Sequence, residues 1–427
     1  MILVVRAGLE RFRVRPWQVA AATVSIAILW VLAQTQVSAL RSGRPLIREF
    51  MAFYTVGYVL NHSPEVLYDP GLFNATYHSL FPALPAEVKQ LYAHAPFEAL
   101  AFRPFALLPF TSALVAWQVF SLALFGLGFA LVWRASDSLP WRQLPLALLL
   151  LLSFRPVAVD SIARGQVAAL IFFWMAAALW CQRRRHDYWA GVALSLCLSK
   201  PTLLGLLLPM LVIGCRRRIL VGFSASAAVL GVVSLLMVGW RGCADYVAML
   251  LRFGTMAAGP RTSFLLSDYV DLNSFVRVAV DSRGLWAMVV LALVTAGVLP
   301  WLVSLWRTLG RERERESSLT WAATLTWTML LNVYVTPYDT PIVVLGMVFA
   351  ASALYGTSRD AMPRVVRIFF VLLYVVPWIP PVPIGVDRTL YLYTLVLVGL
   401  GVYQIREAML ATGRPGSALA HEGLAPK

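Results

Sequence analysis

Cysteine, lysine and charge of either sign are all scarce in this chain. Four cysteines occur in 427 residues: Cys181, Cys197, Cys215 and Cys243. The first three lie in or beside apolar runs and none has metal-ligand spacing, so no disulfide framework and no cysteine-held metal centre is implied. Only three of the 36 basic residues are lysines, Lys89, Lys200 and Lys427. The five histidines, His62, His78, His94, His186 and His421, are scattered. Only the first three share a loop, a weak basis for a metal site, and none is expected. Walker loop, dinucleotide fingerprint and His-Glu-x-x-His helix are all missing, which removes support for nucleotide, hydride-transfer and zinc-protease chemistry. No internal repeat of fixed period is present.

What the chain has in quantity is apolar length. Hydrophobic residues make up 59% of it against 13% charged, at a mean hydropathy of +0.73. Several runs exceed the roughly 20 apolar residues that cross a bilayer. The fold class is therefore an all-α polytopic membrane protein. The net charge of +15 would suggest nucleic acid in a soluble protein. Here the arginines lie mainly between spans, and the positive-inside rule accounts for much of the excess, so membrane lipid and not nucleic acid is the expected partner. The start, with Arg6, Arg11, Arg13 and Arg15 before a long apolar run, reads as an uncleaved signal anchor held on the cytoplasmic side.

Following the runs in order predicts twelve crossings in one domain, residues 1–404, with both ends cytoplasmic. A first external loop spans 38–103, with juxtamembrane helices expected at 48–61 and 86–92 and a turn at Asp69-Pro70-Gly71. A second external loop spans 241–283. The run Arg311–Glu316 reads as a solvated loop, a crossing is expected over Leu319–Thr336, and 405–427 as a small, polar, disordered tail. The apolar stretch Tyr188–Cys215 lies between Arg183-Arg184-Arg185 and Arg216-Arg217-Arg218. Two short spans with Ser199-Lys200-Pro201 at the outer bend keep both triplets inside, and Pro201 breaks the helix there.

Polar residues then collect near span ends on one face: Glu49, Arg103, Arg155, Asp160, Arg164, Gln166, Lys200, Asn273 and Asp339. A lysine in such a setting is a functional candidate, although it also snorkels to headgroups. Glu49 begins an aromatic helix with Phe50, Phe53, Tyr54 and Tyr58, where a carboxylate suits either a general base or a helix cap of favourable charge. A carboxylate facing several cations fits an anionic lipid headgroup together with a base.

These residues carry a resemblance. Glu49-Phe50-x-x-Phe53-Tyr54 followed by Leu67-Tyr68-Asp69-Pro70 resembles the Asp-Phe-x-x-Tyr-Tyr and Leu-Tyr-Asp-Pro pattern of glycosyltransferase family 87. Those are polyprenol-phosphate-mannose-dependent α-mannosyltransferases of the GT-C membrane class. Pro96-Phe97, Pro104–Pro109, Gly165-Gln166, Lys200-Pro201, Asn273-Ser274 and Tyr338-Asp339 are similar to later landmarks in the same order, over about residues 45–350. The resemblance implies a GT-C-like fold of about twelve transmembrane helices and an inverting hexose transfer. The hexose, first of all mannose, would pass from a polyprenyl-phosphate sugar to a glycolipid or glycan acceptor at the outer face of a bacterial inner membrane. Position 49 would supply the base, and Arg164, Lys200 and Arg103 would meet the donor phosphate. Phe53, Tyr54, Tyr68, Asp69, Gln166, Asn273, Tyr338 and Asp339 would line the substrate site, with no cofactor or metal needed. The chain departs from the pattern in carrying Glu for Asp at 49, and Val335-Thr336-Pro337-Tyr338 where a histidine often stands nearby. The competing class is a transporter or flippase of lipids or polysaccharide precursors, which should show repeats and mid-membrane charges.

Overall fold

A computed structural model describes residues 15–41, 48–85, 87–257, 269–280, 285–309, 314–355, 362–385 and 388–413. Over them the chain is an all-α membrane protein whose only strands are the short antiparallel pair Val382–Gly385 and Arg388–Leu390. Among the described residues six helices are long and apolar enough to cross a bilayer, and a seventh candidate is a pair bent by 58° at Ser153–Arg155. The other apolar segments are shorter or broken helices. The long ones turn large apolar side chains outward, Trp30, Leu236, Leu251 and Leu293 among them. Such surface is stable only in a solvent as apolar as itself.

Two cores organise the packing. The larger runs through the bundle from Leu124 to Ala408 and includes Trp306, Trp321, Trp327 and Phe172. Small residues let the helices meet closely: a Cβ on Gly191 would lie 2.0 Å from the Ile219 carbonyl, and one on Gly222 would lie 2.1 Å from that of Tyr188. Backbone-to-backbone approach of this kind is a common way for helices to associate in lipid. The smaller core is aromatic and belongs to the first loop. Phe50, Phe53, Phe73, Tyr92, Phe102 and Trp117 are buried together there, and Leu170 packs against both cores.

Several elements differ from the sequence reading, each for a local reason. Residues 87–92 form no helix, because side chains of the helix Pro70–Leu80 take their backbone groups. Asn74 pairs with both the N–H and the carbonyl of Gln90, at 2.8 and 3.0 Å, and His78 meets the Val88 carbonyl at 3.0 Å. Asp69-Pro70-Gly71 starts that helix where a free-standing turn was expected, Asp69 accepting from Gly71 N–H and Leu72 N–H at 2.8 and 2.9 Å. The second loop opens as helix: Arg217–Ala257 is kinked at Gly239 (φ 69°). Beyond the kink, Tyr246 and Met249 pack on the aromatic core. Of the run expected to be a solvated loop, Glu314–Glu316 begins the helix Glu314–Leu330. That helix stops short of Thr336, and Val335 instead bonds to the 270–271 segment, its carbonyl accepting from the Val270 N–H at 2.8 Å and its N–H donating to the Asp271 carboxylate at 3.0 Å. The expected tail also shortens. Tyr393–Gly413 is one helix, with Ala408 fully buried and Gln404 bonded to Thr326 at 2.7 Å. The rest of that tail lies outside the described residues.

Candidate active site

Proline interrupts three apolar segments, and the interruptions meet. Phe154 is extended ahead of Arg155-Pro156, which bends the seventh candidate span. Lys200 (φ −131°, ψ 80°) separates two 3-10 turns ahead of Pro201. Thr336 is extended before Pro337, and Pro337–Asp339 forms a 3-10 turn. Proline removes a helical N–H at all three places and disfavours helical geometry in the residue before it at Lys200 and Thr336, so each break is local in origin. Unsatisfied backbone survives at membrane depth only where protein or a water-filled cavity surrounds it. Accordingly Arg155–Ala163 packs on Pro337–Asp339, and Asn332 donates to the Thr202 carbonyl at 2.9 Å.

At the centre Lys200 forms an ion pair with Asp339. The same Asp339 Oδ2 accepts from the Thr336 hydroxyl at 2.8 Å and from its N–H at 3.2 Å. The Lys200 ammonium also stands 4.9 Å above the Tyr338 ring. Asp339 is almost fully buried while the lysine side chain is one-fifth exposed, at 20%, so the cation is the accessible member. The 3-10 turn Pro96–Ala101, which carries Glu98, touches Cys197–Ser199, next to Lys200.

The arginine group lies alongside. Asp160 is buried in a π-helical turn, Ala158–Ala163, a distortion frequent at functional sites. Arg155 and Arg164 flank it at 4.0 and 3.9 Å. Arg155 is anchored to the Pro377 carbonyl and the Tyr391 hydroxyl, at 2.6 and 3.0 Å. Arg164 is 47% exposed and makes only the long contact to Asp160 among the described residues. The next residue, Gly165, has φ 73°, and a Cβ on it would lie 2.5 Å from that of Phe50. The Arg164-Gly165-Gln166 turn is thus pressed against the residue beside Glu49, with Gln166 buried.

The structure therefore gathers Glu49, Lys200, Tyr338 and Asp339, with Arg164 and Gln166 on the adjoining turn. Phe53 joins them through its ring contacts with Phe102 and His94. Tyr68 backs this wall: its hydroxyl donates to the His94 carbonyl at 2.7 Å. Burial first, then Tyr246 and Glu98, push its phenol far above the ordinary value, so it stays a donor. Four other candidates are engaged elsewhere. Arg103 is exposed and donates to Asn61 at 2.8 Å; the Tyr54 hydroxyl donates to the Leu108 carbonyl; Asp69 caps its helix. Asn273 accepts from Arg277 at 2.9 Å, one residue on in the helix Leu272–Ala279 from Leu272, after the cap Asp271. Glu98 is the acid the sequence reading passed over, although it directly follows the Pro96-Phe97 landmark. Among the described residues no three of His, Cys, Asp and Glu gather as a metal site.

A buried lysine–carboxylate pair and a carboxylate-bearing aromatic helix at one set of membrane breaks can handle a proton and an anion side by side. The profile of glycosyltransferase family 87 matches residues 92–337, more than half of the chain. The chain belongs to glycosyltransferase family 87. No curated protein matches it. Within this family 87 chain, Arg103, Arg164, Gln166, Lys200 and Asn273 fall inside the matched residues, Tyr338 and Asp339 just beyond them, and Glu49 well before them. The family makes the chain a membrane glycosyltransferase.

Proposed function

We propose that this glycosyltransferase moves a hexose, mannose first among the candidates, from a polyprenyl-phosphate sugar to a glycolipid or glycan acceptor, with inversion. Glu49 takes the proton of the acceptor hydroxyl. The freed oxygen bonds the anomeric carbon as the bond to phosphate breaks, and the electron pair leaves on the phosphate. Arg164, with the accessible ammonium of Lys200, meets that charge. Fixed cations suffice for a monophosphate leaving group, and no metal enters this reading.

One observation carries the reading: the turn at Gly165 presses on Phe50, beside Glu49, while the segment leading into that turn packs on Pro337–Asp339, where Lys200 is paired. The fuller reading is a GT-C fold with twelve crossings, both ends cytoplasmic and the site open to the outer face of a bacterial inner membrane. The two arginine triplets flanking the break at Lys200 support that orientation. The test is incubation of the purified protein in nanodiscs with polyprenyl-phosphate hexoses and cell-envelope glycolipids, followed by mass spectrometry. A hexose-extended glycolipid is the expected product; intact donors and acceptors would refute the reading. The bent span, with polar groups at its 58° break, is the one feature that favours a transporter, since discontinuous helices hold substrates in such proteins. Movement of lipid-linked sugar across proteoliposomes without transfer would decide for it.

A further inference from the structure

His94 and Glu98 form a pair within this site. His94 Nδ1 stands 2.8 Å from Glu98 Oε2, an ion-pair contact without the angle of a hydrogen bond. Glu98 is 5% exposed, on the 3-10 turn Pro96–Ala101, which touches both Cys197–Ser199 and the Glu49 helix. The imidazole is held on both sides, edge-on to Phe53 and stacked with Tyr92, each at 5.6 Å between centroids. Its backbone carbonyl is held by Tyr68. The ring cannot swing freely, and Nδ1 faces the carboxylate. Nε2 makes no hydrogen bond to a described residue, and the side chain is partly exposed. An imidazole with one nitrogen facing a carboxylate and the other open is a proton-transfer arrangement.

Its position decides which proton. Glu49 stands on the helix whose Phe50 meets Gly165, whereas the turn carrying Glu98 touches Cys197–Ser199, next to Lys200, so the two acids reach the site on different elements. Lys200 is shared with Asp339, Arg155 is held by Pro377 and Tyr391 and Arg103 by Asn61, which leaves Arg164 the most open cation nearby. Arginine and lysine can meet the charge of an arriving anion, but they are poor proton donors to its leaving oxygen.

We propose that His94, oriented by Glu98, is a general acid of this site that protonates the departing phosphate. The inference rests on the sugar-transfer reading above. The bond from the acceptor oxygen to the anomeric carbon forms as the carbon–oxygen bond to phosphate breaks. The phosphate oxygen keeps the electron pair and receives the proton from Nε2. The acceptor's own proton goes to Glu49, and the neutral ring regains a proton from solvent. Glu98 is a positioning residue for the reaction, acting through the ring.

The test uses the full chain in nanodiscs, with single-turnover transfer from polyprenyl-phosphate mannose and, separately, binding of polyprenyl phosphate alone. His94→Gln is expected to slow transfer by about 100-fold or more and to weaken polyprenyl phosphate binding by about tenfold, the worth of one hydrogen bond to a charged group. Glu98→Gln should lower kcat with little change in KM, and Glu98→Asp should restore part of it. Glu49→Gln should leave polyprenyl phosphate binding unchanged, which separates a failure at this pair from a failure of the base assignment. Should His94→Gln misfold because Glu98 is left buried alone, the double variant His94→Gln/Glu98→Gln carries no unpaired charge and decides the matter. Wild-type transfer and binding in a well-folded variant would reduce the pair to a structural contact. Absence of polyprenyl phosphate binding by the unmodified protein would overturn both the donor assignment and this role.

Discussion

Replacing Gly165 by alanine tests whether the turn after Asp160 positions the Glu49 helix. Gly165 has φ 73°, and a side chain there costs about 1–2 kcal/mol from the left-handed backbone alone. The added Cβ would also lie 2.5, 3.1 and 3.3 Å from Cβ, Cγ and Cδ2 of Phe50, where ordinary contact begins at 3.4 Å. The first contact is to a carbon fixed to the backbone, so it cannot be relieved by a rotamer change. One chain must move by about 1 Å, and a shift of that size at a catalytic group costs up to about 100-fold in rate. Gly165→Ala should therefore lose about 2–3 kcal/mol in stability when clash is added to strain, and transfer should fall by one to two orders of magnitude, about 10- to 100-fold. Thermal melting in nanodiscs and single-turnover transfer are the assays. Gly126→Ala is the control. A Cβ there meets nothing within 4 Å, and the change lies mid-helix in Phe110–Ala135, so it should be neutral or stabilise by up to about 1 kcal/mol. A Gly165→Ala protein with wild-type melting and rate would refute the reasoning, because the turn would then not bear on Phe50.

Lys200→Met leaves Asp339 buried without its cation, which should cost about 3–5 kcal/mol by melting; Lys200→Met/Asp339→Asn should recover most of it, and equal melting of single and double variants would deny the pairing. Glu49→Gln should reduce transfer by about 100- to 10,000-fold with donor binding retained, and an unchanged rate in folded protein would move the base elsewhere. Glu49→Asp should keep only part of the activity if the pocket is built for the longer acid, and should raise it if glutamate is the poorer fit. Burial pushes Asp271 up to about 6, against the hydrogen bonds it accepts from Ser274 and Val335. The fold thus favours the protonated carboxyl. Its contribution, about 3 kcal/mol, is fully present below pH about 4, where the unfolded chain is also protonated. It is lost as pH rises through about 6. Melting should fall across that window in the wild type and fall less in Asp271→Asn; parallel curves would count against it.

The sequence by itself determined the class of protein and the places where its helices break. Apolar runs can cross a bilayer whatever surrounds them, and proline at 156, 201 and 337 interrupts a helix through its own ring and missing N–H. Hence Lys200 and the Tyr338-Asp339 pair were legible as special before any contact was known, and Glu49 stood out as the carboxylate opening an aromatic helix. Partnership was not legible. Lys200 pairs with Asp339 across 139 positions, Phe50 meets Gly165, and Arg155 reaches Pro377 and Tyr391, each because helices distant in the chain pack side by side. The same packing turned residues 87–92 away from helix, by giving their backbone groups to Asn74 and His78, and drew Ile405 and Ala408 into the bundle core. Glu98 is the sharpest case, one acid in a short turn whose neighbours Pro96-Phe97 were read as a landmark while the acid itself was not. Only the tertiary structure sets it beside His94 and near Lys200, because backbone chemistry acts over a few residues while electrostatic pairing depends on which surfaces the whole fold brings together.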